Sequence, residues 1–128
     1  MADGTCRRFR DNNRGTAAIE LALVLPMFVL LILGSMGAAS LAFSVVSMNY
    51  AVEEAARCAA VNKTLCSTPV STVLYARSRY SGPAISPVFA YSTAGCGNTV
   101  TATATYSFNL VPQFTNVPLS VSACRPSA

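Results

Sequence analysis

Histidine is absent from this chain, and acidic residues are scarce. The 128 residues include no histidine and five Asp or Glu, of which only Glu53 and Glu54 follow Glu20. General acid–base catalysis and most metal sites depend on these residue types. The sequence also lacks a Cys-x-x-Cys pair, a Gly-rich phosphate loop and a Gly-x-Ser-x-Gly motif. We therefore predict no catalytic residue, no metal site, no cofactor and no enzymatic activity.

Charge of either sign is also scarce. Charged residues make up 11% of the chain and hydrophobic residues 52%, whereas ordinary soluble domains carry about 25% charged residues. No long basic stretch with interleaved aromatic residues is present, so the sequence does not indicate a nucleic-acid partner. The composition indicates a membrane protein rather than a cytosolic enzyme.

The apolar residues are concentrated in one N-terminal segment. From Leu21 to Val46 there are 26 residues without a charge, and a helix needs about 20 apolar residues to cross a bilayer. Four arginines precede this segment, and the next cation after it is Arg57. The positive-inside rule therefore predicts a single pass, with the N-terminus in the cytoplasm and the C-terminal part outside.

Helical periodicity continues beyond the apolar segment. Val45, Met48 and Val52 recur at helical spacing, so we predict one continuous helix over residues 16–61. At ~1.5 Å per residue it is roughly 70 Å long, about twice a bilayer core. The predicted domains are a cytoplasmic leader over 1–15, this helix with its membrane-spanning part at about 21–43, and a small extracytoplasmic part over 62–128.

Glu20 is an ionisable side chain at the start of the apolar segment. An unpaired charge there costs on the order of 2.5 to 3.5 kcal/mol near the helix centre and less toward the ends. Arg14 is six residues away and does not share a helix face with Glu20. A cut after Gly15 would give Thr16 a new ammonium group that could pair with Glu20, in the same chain or in a neighbour. Two alternatives stay open: a plain anchor whose Glu20 reaches the cytoplasmic face, and a secretory signal cut after Ser40-Leu41-Ala42.

Two motifs carry a resemblance to a known family. Residues 14–26, Arg-Gly-Thr-Ala-Ala-Ile-Glu-Leu-Ala-Leu-Val-Leu-Pro, resemble the N-terminal signature of TadE-like proteins, minor pseudopilins of the tight-adherence (Tad/Flp) pilus system. The basic leader, Gly15 and Glu20 also resemble the class III signal of type IV pilins. Residues 51–60 are similar to the family's second motif, an Ala- and Arg-containing helix end. The C-terminal half carries no motif of the family.

The resemblance implies a structural or assembly subunit of a Tad (Flp) pilus or a related secretion apparatus. It implies that a prepilin peptidase cuts between Gly15 and Thr16, and that Glu20 then pairs with an N-terminal amine. The implied partners are that peptidase, other pilins or minor pseudopilins contacted through the N-terminal helix, and the inner-membrane assembly platform. The implied location is the bacterial inner membrane, with the C-terminal part periplasmic or extracellular and with incorporation into a pilus. The alternative function is a single-pass, membrane-anchored binding module that is not assembled into a pilus.

The exported part contains four cysteines, Cys58, Cys66, Cys96 and Cys124. Disulfides persist outside the cytoplasm, and a part this small benefits from them, so we predict two. Four cysteines allow three pairings, and the sequence alone leaves these open. Two segments that alternate like strands, residues 98–109 and 117–124, favour a hairpin centred near Leu110 that sets Cys96 opposite Cys124. Cys58 and Cys66 would then join the end of the helix to the following loop.

Between the helix and the hairpin we predict one short helix and one short strand. Thr68 and Pro69 are typical of an N-cap and a first-turn proline, with Val70, Val73 and Leu74 as the apolar face. Ser81-Gly82-Pro83 breaks the chain, and residues 88–91 form a strand. The seven aromatic residues of this part are expected in its core and rim rather than in a ligand site: Tyr75, Tyr80, Phe89, Tyr91, Tyr106, Phe108 and Phe114. The predicted fold class is α+β, a long N-terminal helix followed by a small disulfide-stapled antiparallel β domain.

Overall fold

A computed structural model of the protein describes residues 12–93, 95–108 and 116–127. Two helices precede three strands: α1 (Asn12–Val61), α2 (Pro69–Arg79), β1 (Val88–Ser92), β2 (Asn98–Tyr106) and β3 (Val117–Arg125). The strands form one antiparallel sheet in the order β1-β2-β3. The predicted α+β class is therefore confirmed. The predicted leader through residue 11, the connection around Leu110 and the aromatic Phe114 lie outside the described residues.

Helix α1 ends at the predicted residue and begins four residues earlier than predicted, at Asn12. Gly15 does not start the helix, because a single glycine costs only about 1 kcal/mol relative to alanine in a helix interior. Pro26 lies inside the helix. It has no N–H to donate to the carbonyl of Ala22, so the i to i−4 ladder misses one hydrogen bond there.

The chain forms two compact units, Met1–Gly37 and Ala38–Ala128. In the first unit, every side chain from residue 15 to residue 36 is exposed. In the second unit, the C-terminal half of α1 belongs with α2 and the sheet. Burial along α1 begins at Ser44, which is fully buried. The same helix therefore has a fully exposed apolar half and a half that contributes to a folded core.

The core of the second unit lies between α1 and the inner face of the sheet. Met48 and Val52 of α1 cluster there with Phe89, Val100 and Ala102 of the strands. Of the residues on which the predicted helical spacing was based, Met48 and Val52 are fully buried and Val45 is half-buried. The other α1 residues in the cluster are alanines: Ala51, Ala55 and Ala56.

Helix α2 begins as predicted, but it buries a different face. Thr68 is the N-cap, and its Oγ1 accepts the Ser71 N–H at 3.2 Å while the Ser71 Oγ accepts the Thr68 N–H at 3.0 Å. Thr72 and Ala76 are the buried residues, whereas the predicted face was wrong in that Val70 and Leu74 are 69% and 57% exposed. Thr72 can face the core because its hydroxyl donates to the Thr68 carbonyl at 3.0 Å, which removes most of the cost of burying it.

The hairpin exists, but its register differs from the predicted one. Cys124 lies opposite Thr99 rather than Cys96. Cys96 nevertheless forms the predicted disulfide with Cys124, at a Cα to Cα distance of 6.3 Å. It can do so because the chain bends at Gly97, which has a φ of +129° and sits between Cys96 and the first residue of β2. The pairing was correct and the register was wrong by three residues.

Gly97 is expected to be far less tolerant of substitution than its neighbour Gly95. Both have positive φ, at +129° and +77°. A Cβ on Gly97 would lie 2.7 Å from the carbonyl oxygen of Arg125, whereas one on Gly95 would meet nothing within 4 Å. We expect Gly95→Ala to lower the free energy of unfolding by about 1 kcal/mol and Gly97→Ala by about 3 kcal/mol. Urea unfolding of the two variants measures this difference, and equal costs would contradict the close approach at Gly97.

Candidate functional site

The predicted cleavage and pairing residues lie together on the exposed half of α1. Gly15, Thr16 and Glu20 are all helical and all exposed. Thr16 and Glu20 are four residues apart, so their side chains lie on the same face, one turn from each other. A Cβ added to Gly15 would meet nothing within 4 Å. The peptide bond between Gly15 and Thr16 is therefore open on the side where a larger residue would stand.

In the uncut chain the nitrogen of Thr16 belongs to a peptide bond and carries no charge. A cut at this bond would turn it into an ammonium group four residues before Glu20. That spacing suits an ion pair within one helix, and a carboxylate in the first turn of the shortened helix would also face the positive end of the helix dipole.

An apolar surface that no described residue covers continues from Glu20 along α1. Its large side chains are mostly half to three-quarters exposed, with Leu23 at 70%, Met27 at 75% and Leu31 at 68%. Exposing such a surface to water costs roughly 25 cal/mol of free energy per Å² of apolar area. The helix from Gly15 to Val61 is long and apolar enough to cross a membrane. The surface suits lipid or other apolar helices.

Polar side chains on α1 are hydrogen-bonded within the helix. The Ser35 Oγ donates to the Ile32 carbonyl at 2.8 Å, and the Ser44 Oγ donates to the Ser40 carbonyl at 2.8 Å. Such bonds lower the cost of placing hydroxyls in an apolar environment. The serines in the middle of α1 are therefore compatible with helix packing or a lipid surround.

The second unit contains the two predicted disulfides. Cys58 and Cys66 are both buried, with a Cα to Cα distance of 5.8 Å, and they connect the end of α1 to the loop before α2. Cys96 is exposed and Cys124 is half-buried, and the Thr99 hydroxyl donates to the Cys124 Sγ at 3.0 Å. The first disulfide is part of a small cluster with Ala59, and the second clamps the start of β2 to the end of β3.

A shallow groove of about 180 Å³ lies beside the first disulfide. Its walls include Glu54, Arg57, Leu65 and Tyr75. Nearby, the Arg79 guanidinium lies 4.8 Å from the Tyr75 ring centroid and donates to its hydroxyl at 2.9 Å. This hydrogen bond, together with the charge interaction with Tyr75, raises the pKa of Arg79. Within the described part of the chain, no three His, Cys, Asp or Glu side chains converge in a way that could hold a metal ion.

The sequence analysis did not predict the polar contacts within the second unit. The Ser47 Oγ, on a buried side chain, accepts the Ser81 N–H at 3.0 Å and so fixes the break after α2 against α1. The Tyr91 hydroxyl donates to the Asn98 Oδ1 at 2.5 Å. The Tyr80 hydroxyl donates to the Pro83 carbonyl at 2.7 Å, and burial raises the pKa of Tyr80. A serine on the inward face of α1 was a usable signal, since buried polar groups need partners.

The aromatic residues are divided between the core and its rim. Phe89 is buried, and Tyr75, Tyr80 and Tyr91 pack against the core while partly exposed. Tyr106 and Phe108 form an edge-to-face pair, with ring centroids 4.8 Å apart. Phe89 and the three tyrosines thus lie in the core and its rim, whereas Tyr106 and Phe108 are paired with each other.

Comparison with known proteins gives one match. The family model described as TadE-like protein matches residues 15–57. No curated protein and no solved structure matches the chain. The matched segment begins at Gly15, includes Glu20 and the exposed apolar surface, and ends at Arg57 in the C-terminal half of α1.

Proposed function

We propose that the chain, whose residues 15–57 match the family model described as TadE-like protein, is a pseudopilin-type assembly subunit of the Tad pilus system that is cut after Gly15. The observation that supports this most is the coincidence of the matched segment with a particular structural feature. The match begins at Gly15, and Glu20 stands five positions later at the start of an apolar surface whose described side chains are exposed. The subunit is non-catalytic and acts by packing against other proteins of the pilus system.

The proposed topology is a single pass of the bacterial inner membrane with the N-terminus in the cytoplasm. Four arginines precede the apolar segment, and both disulfides lie in the second unit, which follows it. Positive charge favours the cytoplasmic side, and disulfides persist on the exported side. Both features thus support the same orientation by independent physical arguments.

Cleavage is proposed to create the partner that Glu20 needs. A buried carboxylate without a partner is costly, and a cation in register offsets that cost. The new amine of Thr16, in the same chain or in a neighbouring subunit, would provide the cation. The proposed partners are therefore a prepilin peptidase, then other pilins or minor pseudopilins through α1, and an inner-membrane assembly platform.

The first test is the mass of the mature chain. In cells with an active prepilin peptidase, we expect N-terminal sequencing and intact mass to give a chain that starts at Thr16. Gly15→Val should block the cut, because the added side chain occupies the open side of the scissile bond. Gly34→Val is the matched control, since Gly34 is another helical glycine with nothing within 4 Å of its missing Cβ. A wild-type chain that keeps its leader would contradict the proposal.

The second measurement tests the ion pair itself. A lipid-soluble carbodiimide joins a carboxylate to an amine that is in contact with it. We expect a covalent link between the Thr16 amine and Glu20, within or between chains, in the processed protein and none in Gly15→Val. If the processed protein carries the reagent on Glu20 but no link to the Thr16 amine, the ion pair is contradicted and the cleavage after Gly15 is not.

A further inference from the structure

The two disulfides differ in the access that an external thiol has to them. Cys96 is exposed and lies in the turn before β2, whereas Cys58 and Cys66 are buried in a cluster with Ala59. In thiol–disulfide exchange a thiolate must reach one sulfur of the bond, so the rate depends on access. In the folded chain, the bond between Cys96 and Cys124 is therefore the one open to exchange.

The two sulfurs of this bond also differ from each other. Cys124 is half-buried in β3, where it pairs with Thr99 of β2. Cys96 lies outside the strands and follows Gly95, at which an added Cβ would meet nothing within 4 Å. An incoming thiolate thus has open space beside Cys96, whereas half-burial and strand pairing restrict the approach to Cys124. Attack at the Cys96 sulfur is favoured.

The hydroxyl of Thr99 makes Cys124 the better leaving group. It donates to the Cys124 Sγ at 3.0 Å and lies farther, at 3.5 Å, from the carbonyl oxygen of Gly97. A donor directed at sulfur stabilises the negative charge that the sulfur carries after the bond breaks. Residues 55–128 include no Asp or Glu, so no carboxylate side chain in this part of the sequence opposes a thiolate. A stabilised thiolate leaves faster.

We propose that Cys96 is the residue through which the chain exchanges its disulfide with a thiol–disulfide oxidoreductase of the exported compartment, that Cys124 is the nucleophile that resolves the mixed disulfide, and that Thr99 is the positioning residue for Cys124. An oxidoreductase is the partner because disulfides outside the cytoplasm are introduced by exchange with an oxidised protein. The choice of partner rests on the proposed topology. The choice between the two sulfurs rests on access and on the Thr99 hydrogen bond alone.

The exchange consists of two displacements at sulfur. The Cys96 thiolate attacks one sulfur of the oxidoreductase disulfide, that bond breaks, and one oxidoreductase cysteine leaves as a thiolate. The Cys124 thiolate then attacks the Cys96 sulfur of the mixed disulfide, and the second oxidoreductase cysteine leaves. Two electrons pass from Cys96 and Cys124 to the oxidoreductase, and the two thiol protons go through solvent to the leaving thiolates. In the reverse direction an external thiolate attacks Cys96, and Cys124 leaves.

The first experiment uses the full chain in lipid nanodiscs and glutathione as the external thiol. Cys6→Ser removes the one cysteine outside the two disulfides and provides the background. After a brief reaction, acid stops the exchange, free thiols are alkylated, and peptide masses show which cysteine carries glutathione. We expect roughly tenfold more glutathione on Cys96 than on Cys124, with Cys58 and Cys66 still joined. Equal amounts, or an excess on Cys124, would contradict the proposal.

Urea separates exchange in the folded chain from exchange after unfolding. Below the unfolding transition, urea should leave the rate of attack on Cys96 nearly unchanged, because the folded chain already exposes this residue. The same urea should accelerate the opening of the Cys58 to Cys66 bond, which requires the surrounding cluster to open. If both rates rise equally steeply with urea, access in the folded chain is contradicted.

Thr99→Val tests the hydrogen bond, because valine keeps the shape of threonine and removes the hydroxyl. We expect glutathione to attack Cys96 roughly tenfold more slowly in this variant, and Thr99→Ser should restore most of the rate. Thr101→Val is the matched control and should react as the wild type does, since Thr101 is also half-buried and lies on the same face of β2. A wild-type rate in Thr99→Val would contradict the role of Thr99.

Two single variants identify the partner and its point of attack in cells. Cys124→Ser and Cys96→Ser lose the same disulfide, so a difference between them does not come from loop closure. Cys124→Ser retains the exchanging cysteine and lacks the resolving one. We expect it to accumulate a reducible adduct with an oxidoreductase, identified by mass, at a level roughly tenfold above that of Cys96→Ser.

Three other outcomes in cells would overturn parts of the proposal. A stronger adduct in Cys96→Ser would contradict the point of attack. A disulfide between two copies of the chain at Cys96, without an oxidoreductase adduct, would contradict the choice of partner. A wild-type chain with all four cysteines as free thiols would contradict the proposed topology and the partner together. The glutathione experiment would still decide between the two sulfurs, because it uses the purified chain.

Discussion

Glu20→Gln is expected to reduce recovery of the chain with Tad pilus components by roughly a hundredfold. The substitution keeps the size of the side chain and removes the charge. If Glu20 pairs with the Thr16 amine in an apolar surround, removing one partner leaves the other unpaired, which costs about 3 kcal/mol and corresponds to that factor. Co-purification of the crosslinked, detergent-solubilised complex with quantitative immunoblotting measures the loss.

Two controls separate a lost ion pair from a misfolded or mislocalised chain. Glu20→Asp keeps the charge and should retain part of the recovery. Glu53→Gln neutralises an exposed carboxylate in the C-terminal half of the same helix and should not change the recovery. Membrane insertion of Glu20→Gln should be equal to wild type or better, since the neutral side chain is easier to bury. Full recovery of Glu20→Gln would favour the alternative function, a membrane-anchored binding module.

Much of the fold could be predicted because its signals are local or long. The length of α1 follows from an apolar run and a 3.6-residue period that extends to Val61, and both are properties of neighbouring residues. The N-cap at Thr68 follows from the preference of threonine and proline for those positions. These elements would form in nearly any tertiary context, which is why the sequence sufficed.

The errors arose where tertiary contacts decide. The register of the hairpin depends on where the chain bends, and Gly97 places that bend inside the segment between Cys96 and β2. The buried face of α2 includes a threonine that satisfies its own hydroxyl, so hydrophobicity alone selected Val70 and Leu74 wrongly. In both cases one backbone or side-chain hydrogen-bonding detail outweighed the apolar pattern.

The candidate site on α1 was accessible from the sequence for a different reason. Gly15, Thr16 and Glu20 are close in the chain, and a helix fixes their relative positions without any tertiary contact. What neither the sequence nor the fold supplies is the second charge, because the proposed amine would be created only by cleavage of the chain.

Removing the Cys96 to Cys124 disulfide is expected to lower the free energy of unfolding of the second unit by about 3.5 kcal/mol. The bond closes a loop with a sequence separation of 28 residues, against 8 for Cys58 to Cys66. Loop-closure entropy gives about 3.5 kcal/mol for the loop closed by Cys96 and Cys124 and about 2.5 kcal/mol for the loop closed by Cys58 and Cys66. Urea unfolding followed by tyrosine fluorescence measures the change. The chain has no tryptophan, and its five tyrosines all lie at residue 50 or beyond. The tyrosine fluorescence therefore comes from the second unit and not from the first.

The choice of replacement residue separates the entropic contribution from packing. Cys96 is exposed and Cys124 is half-buried, so Ser/Ser and Ala/Ala double variants of this pair should have nearly equal stability. Cys58 and Cys66 are 7% and 6% exposed, and two serines there would bury hydroxyls in an apolar cluster at an extra cost of about 1 to 3 kcal/mol relative to two alanines. A large Ser-to-Ala difference at Cys96 and Cys124, with none at Cys58 and Cys66, would contradict this division. With the expected pattern, the long loop acts mainly by restricting the unfolded chain, whereas the short loop also acts by packing the end of α1 against the rest of the unit.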